Sequence, residues 1–244
     1  MRGVRCPVVE LRRYTLRPGL RDVLIDLFDR EFIESQEATG MAILGQFRDL
    51  DDADRFVWLR GFADMPRRAE ALTRFYNGPA WRAHSAEANA TMVDVDNVLL
   101  LRPATAHTGF PASPAPRPPS GPSGPLPSLI LATLYYRDHP FDEAFLDFFE
   151  HEVRPLLVES GAAPLACLQT EYAVNNFPAL PVRTGEHVFV WFARFASLAC
   201  LGDHRDRLER SEQWQVRVLP QLSKMLMGAP QQLRLTPTAR SVLR

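Results

Sequence analysis

The chain has 244 residues, 46% of them hydrophobic and 23% charged, with a formal net charge of −1. This is long and apolar enough to bury one or two cores, and it excludes disordered, collagenous and coiled-coil chains. The near-neutral charge, with Lys224 as the only lysine, argues against a nucleic-acid protein that works through a strong basic field.

The first element is an alternating strand from Val8 to Thr15. A helix follows, with Leu20, Val23, Leu24, Leu27, Phe28 and Phe32 at the i, i+3, i+4 spacing of one buried face. Gly40 ends it. Two strands, Met41–Phe47 and Phe56–Phe62, flank a charged turn. Asp64 then caps a second helix through Tyr76, with Pro66 in its first turn. Asn77-Gly78-Pro79 breaks that helix, and a helical stretch Trp81–Ala90 leads to a last strand, Asn97–Arg102. Between Pro111 and Pro127, eight of 17 residues are proline, a composition suited to an extended linker.

The second half repeats the first. An offset of 121 places Tyr14 on Tyr135, Asp26 on Asp147, Phe28 on Phe149, Glu31 on Glu152 and Gly40 on Gly161. An offset of 133 places Phe56 on Phe189, Trp58 on Trp191, Phe62 on Phe195, Trp81 on Trp214 and Met92 on Met225. The change of offset is a 12-residue insertion near Tyr172–Gly185. The expected fold is α+β: two ferredoxin-like βαββαβ units packed sheet to sheet as an internal pseudo-dimeric α/β barrel. The expected divisions are a first domain over 1–103, a proline-rich linker over 104–128 and a second domain over 129–244.

No window reaches the ~20 apolar residues of a membrane span, and no apolar run follows Met1–Pro7. Cys6, Cys167 and Cys200 are odd in number and far apart, which argues against a disulfide framework or a thiolate zinc site. A cytoplasmic protein is expected.

The segments ELRRYTLRPG (Glu10–Gly19), GQFRD (Gly45–Asp49), FVWLRGF (Phe56–Phe62) and DNVLLLRP (Asp96–Pro103) resemble the NIPSNAP family of the dimeric α/β barrel superfamily. The resemblance covers residues 8–103; beyond the linker only the fold pattern and the aromatic positions continue it. It implies the fold and a ligand pocket. The superfamily includes cofactor-free monooxygenases, haem-dependent peroxidases and small-molecule-binding proteins, so the resemblance leaves the activity open.

Strand alternation assigns side chains to two faces. Val9 and Leu11 are expected against the helices. Glu10, Arg12 and Tyr14, with Trp58 and Arg60, are expected between the two sheets, joined there by Tyr135 and Trp191. These seven residues are the candidate ligand-binding set. An arginine would bind a carboxylate or enolate oxygen, and Tyr14 would donate a hydrogen bond or relay a proton. The plainer reading pairs Glu10 with an arginine and leaves the aromatics as filling. His84 is a second catalytic candidate at the barrel mouth. No His-x-His or His-Glu-x-x-His occurs, so no metal site is expected. His84 could in principle ligate haem, but nothing in the sequence requires a cofactor.

Three functions remain open. The first is binding of a small, partly aromatic or enolisable molecule. The second is cofactor-independent oxygenation or proton transfer. The third is scaffolding through the linker or the 172–185 insertion. The element order also suits an RNA-recognition module, but the Gly-Phe-Gly-Phe pattern and basic charge are missing. A monomeric pseudo-dimer is the expected state, with a further homodimer left open.

Overall fold

The computed structural model describes residues 6–110, 117–118 and 128–244. Alternation in the first segment yields β1 (Val8–Leu16), which pairs antiparallel with β3 (Arg55–Phe62) and β5 (Val98–Pro103). β2 (Ala42–Asp49) lies on the far side of β3. The second unit repeats this with β6 (Leu129–Arg137) between β8 (His187–Phe195) and β9 (Gln231–Pro237), and with β7 (Pro164–Thr170) outside β8.

The two sheets join at their edges. Phe47–Asp49 pair with Leu235–Pro237, and Leu101–Pro103 pair with Leu168–Thr170. Strands β1–β3 and β5–β9 thereby close into one antiparallel barrel, and β4 (Met92–Asp94) adds a short flap to the end of β1. Closure leaves the eight barrel strands no unpaired long edge and an interior narrow enough for side chains to fill.

That interior is aliphatic and aromatic. It holds Val9, Leu11, Phe47, Val57 and Leu59 from the first unit and Ile130, Leu134, Leu168, Val190, Phe192 and Leu235 from the second. Phe110, beyond β5, adds its ring at 5.2 Å from Phe192.

Helices cover the outside. Over the first unit lie α1 (21–37), α2 (Met65–Tyr76) and α3 (Pro79–Thr91). Over the second lie α4 (143–160), α5 (Leu198–Arg210) and α6 (213–225). Both leading helices contain a π turn at the repeat-equivalent place, Phe28–Phe32 and Phe149–Val153. Both are followed by a left-handed glycine, Gly40 at φ +98° and Gly161 at φ +99°, a conformation that a Cβ would strain. The caps also repeat: the Asp64 carboxylate accepts from Arg67 N at 2.6 Å and the Ser197 hydroxyl from Cys200 N at 3.2 Å.

One expectation is reversed. Val9 and Leu11 face the barrel interior, whereas Tyr14, Phe56, Trp58 and Phe62 pack with Phe28, Phe32 and Phe75 of the helices. Glu10, Arg12 and Arg60 share this helix-facing side by strand alternation. The candidate set therefore lies between sheet and helices, not between the two sheets. The physical reason is closure: a filled barrel excludes water and presents chiefly the apolar side chains of other strands, so it selects apolar residues. Helices and loops can supply amide partners to buried charge.

Of the expected linker, residues 111–116 and 119–127 lie outside the described residues. Arg117 donates to the carbonyls of Arg240 and Ile43. Among the described residues no helix is long and apolar enough to cross a membrane.

Candidate functional site

β1 and β3 run side by side with Glu10 opposite Arg60 and Arg12 opposite Trp58. This register brings two guanidiniums to one carboxylate. Arg12 Nη1 and Arg60 Nε both donate to Glu10 Oε2 at 2.7 Å. A third, Arg68 from the first turns of α2, donates from Nε to Oε1 at 2.6 Å. All four side chains are fully buried. No other carboxylate among the described residues bonds to these arginines, so the cluster carries two positive charges in excess.

Burial alone would raise the Glu10 pKa, but Arg60, Arg12 and Arg68 outweigh it and hold the group well below the usual carboxylate range. Burial works against the charge on Arg12, yet Tyr14 and Glu10 raise its pKa above the ordinary value. The rings of Tyr14 and Trp58 lie 5.4 and 5.6 Å from the Arg12 guanidinium, and Trp58 lies 5.1 Å from that of Arg60. Such contacts spread the buried charge over aromatic faces.

A cavity of about 100 Å³ adjoins this cluster, between the sheet and α1–α3. Its walls are chiefly apolar, including Phe28, Phe32, Trp58, Phe75 and Trp81, with Asn89, Val95 and Leu180 also in contact. Two of its polar wall groups connect directly to the arginines. Arg12 Nε donates to Tyr14 Oη at 2.9 Å, and Arg60 Nη1 donates to the Gln36 side-chain oxygen at 3.3 Å. Because Tyr14 accepts from Arg12, its own proton stays free to donate. Burial pushes the Tyr14 pKa up more than Arg12 lowers it, so at neutral pH Tyr14 is a donor and not a phenolate base. Among the buried donors without a partner are four of this cluster: Nη2 of Arg12, Arg60 and Arg68, and the Trp58 indole N–H. The Gln46 amide, paired in register with Trp58, is likewise buried and unpartnered.

The second unit shows what the fold itself demands here. Its register is the same, with Leu131 opposite Ala193 and Thr133 opposite Trp191. Leu131, Thr133, Ala193 and Leu201 stand where the first unit has Glu10, Arg12, Arg60 and Arg68; Leu157 and Cys167 replace Gln36 and Gln46. The space beneath the helices is filled by Phe141, Phe145, Phe149 and Phe189, and the Trp191 N–H is satisfied by Tyr135 Oη at 3.1 Å. An uncharged version of the same layer, with the Thr133 hydroxyl as its polar group at these four positions, therefore packs in the same chain.

The structure brings Glu10, Arg12, Tyr14, Trp58 and Arg60 together. Tyr135 and Trp191 lie in the second unit's own core. His84 sits on α3 at 3.5 Å from Glu31 and 3.7 Å from Glu87, and it does not line the cavity. Sequence reasoning missed Arg68, Gln36 and Gln46. The signal that could have found them is the repeat itself, which pairs each with an apolar residue or a cysteine. Among the described residues no cluster of three His, Cys, Asp or Glu side chains could hold a metal ion.

Residues 9–106 match the NIPSNAP family model. A candidate monooxygenase of Fusobacterium nucleatum superposes with a TM-score of 0.54 at 11% identity, over 97% of this chain and 94% of that one. A candidate monooxygenase of Lactobacillus acidophilus gives 0.52 at 11% identity over 95% and 94%, and an anthrone oxidase-like protein gives 0.53 at 12% over 95% and 91%. These likenesses show a shared fold. No curated protein matches the chain.

Proposed function

We propose that the NIPSNAP domain formed by residues 9–106 binds a small anionic molecule, such as a single-ring or short-chain carboxylate, phenolate or enolate, between its sheet and its helices. The observation that carries this is the buried pair of uncompensated positive charges beside an aromatic cavity. Its repeat partner packs without any of these charges. Burying an ion costs several kcal/mol even after relaxation, and the second unit shows that the fold does not require it. An anion bonded to Tyr14 Oη and the Trp58 indole N–H, both groups of cavity-wall residues, would offset the excess charge of the arginines behind that wall and occupy an N–H that otherwise goes unpaired.

The size of the cavity bounds the ligand. An apolar cavity of about 150 Å³ admits benzene, so 100 Å³ suits a short-chain anion as it stands and a single ring only with some outward movement of the walls. A tricyclic anthrone or a haem exceeds it several-fold. In this reading each half is one ferredoxin-like unit of an internal pseudo-dimer, the first specialised for the ligand and the second structural.

Calorimetric titration of the full chain with benzoate and with uncharged benzamide tests the proposal. Benzoate should bind at least tenfold more tightly, and Arg12→Met should abolish that preference. Equal affinity for the two probes would refute an anion site.

A second reading is cofactor-independent oxygenation, favoured by the shared fold of the two candidate monooxygenases and by the oxyanion-stabilising charge. Its constraint comes from the cavity wall. Tyr14, Gln36, Tyr76 and Asn89 carry its polar side chains, and neither a carboxylate nor an imidazole is among them. A substrate would have to arrive already ionised. Oxygen consumption with an acidic phenol or enol, lost in Tyr14→Phe, would support this reading.

A further inference from the structure

We infer that the hairpin insertion of the second unit, residues 171–186, is the roof of the first unit's site and sets the size of the ligand admitted there. The inference rests on the binding reading above. The insertion is one difference between the two repeats: β2 and β3 are joined across residues 50–54, whereas β7 and β8 are joined across 171–186.

Both legs of the insertion are tied to the first unit. Glu171 N donates to Leu100 O, and Arg183 N donates to Val98 O, each at 2.9 Å. Between these legs the chain crosses onto the helices. Phe177 stacks on Tyr76 at 5.9 Å with an interplanar angle of 27°, and the Asn176 amide donates to Met65 O at 2.6 Å. Leu180 and Tyr76 are cavity-wall residues, so one roof residue bounds the cavity itself and another packs behind its wall.

The roof is also joined to the charge cluster. Arg68 Nη1 donates to Asn175 Oδ1 at 3.0 Å and to Asn176 Oδ1 at 2.9 Å, while its Nε holds Glu10. Asn175 Nδ2 in turn donates to Leu180 O at 2.9 Å. A single side chain, Asn175, thus connects the guanidinium that faces the carboxylate with the backbone of the residue over the cavity. Asn175 is a positioning residue, and Leu180 is the size-determining one. The chemistry at the tip is neutral amide rather than carboxylate, so Arg68 is held in place without loss of the positive excess.

The test uses the full chain with two aromatic carboxylates of different length, benzoate and 2-naphthoate. The wild type should prefer benzoate by about tenfold, the scale on which a pocket discriminates one extra hydrophobic group. Leu180→Ala should bring the ratio to about threefold or less by improving 2-naphthoate binding, and Asn175→Leu should do the same by releasing the Leu180 backbone. Leu180→Trp should weaken both probes. Each variant changes a partly exposed loop residue, and far-ultraviolet circular dichroism and the unfolding midpoint verify that it folds. Wild-type binding of benzoate with an unchanged ratio in the Leu180 variants would overturn the roof while leaving the anion site standing. Failure of the wild type to bind either carboxylate would overturn both.

Discussion

Replacing the buried charge cluster as a set should cost far less than replacing its centre. In Glu10→Gln the three guanidiniums keep their burial and lose their common counter-ion, which accepts bonds of 2.6–2.7 Å from all three. Breaking a buried pair by removing one partner costs roughly 3–5 kcal/mol. In a chain of this size, that lowers the melting midpoint by roughly 6–20 °C. The combined variant Glu10→Leu, Arg12→Met, Arg60→Met and Arg68→Leu removes every charge together and keeps side-chain volume. Such exchanges are neutral or stabilising by about 1–4 kcal/mol in favourable cases, and Leu131 and Leu201 already occupy the equivalent places in the second unit. Urea titration at pH 7 should therefore rank the combined variant at or above wild type and Glu10→Gln well below it, while benzoate binding is lost in the combined variant. A combined variant less stable than Glu10→Gln would refute the reasoning: the charges would be structural, and the energetic argument for a ligand would fall.

Trp58→Phe removes an unpartnered indole N–H and keeps the ring stack, so its stability should change by less than about 1 kcal/mol, while benzoate affinity should fall about tenfold if that N–H serves the ligand. Tyr14→Phe deprives Arg12 Nε of its acceptor and should lower both stability, by about 1–3 kcal/mol, and affinity. Two distant groups should give opposite pH slopes. Burial pushes Asp29 up to about 6 against the pull of Arg240, so between pH 4 and 6 the folded state binds the extra proton and acidification stabilises it. Burial pushes His204 down to about 4, so below pH 6.5 the unfolded state binds the extra proton and acidification destabilises the fold. Urea midpoints across pH 4–6.5 should fall with acid in Asp29→Asn and hold or rise in His204→Gln; a flat profile in both would refute these assignments.

The element order was legible because the strands alternate, the leading helix has a buried stripe, and Asp64, Gly40 and Gly161 mark helix ends with ordinary local chemistry. The repeat was legible because bulky aromatics recur in register. Orientation of the sheet was not. Both faces of β1 and β3 are buried, so alternation separates Val9 and Leu11 from Glu10 and Arg12 without saying which side the barrel encloses. Burial on two sides removes the hydrophobic contrast on which such an assignment depends. The three-residue β4, Met92–Asp94, is too short to show a period. Arg68 joins Glu10 across 58 residues and Asn175 across 107, separations that no local spacing rule reaches.

The asymmetry of the two halves follows from their being one chain. In a symmetric pair of identical subunits any residue gained at one site appears at both, so a roof that suits one cavity is imposed on two. Fusion removes that constraint. Here the second unit carries the long hairpin and has uncharged residues where the first has charge, while the first keeps the charge and a short turn at residues 50–54. Each change alone would be of little use: an arginine cluster and its cavity beside only a short turn would lie closer to water, which screens the arginines, and a roof over the phenylalanine-filled layer of the second unit would cover nothing. The two departures from symmetry meet at the Arg68–Asn175 bond. That meeting is what makes the first unit's cavity, rather than the pseudo-symmetric barrel interior, the place to look for chemistry.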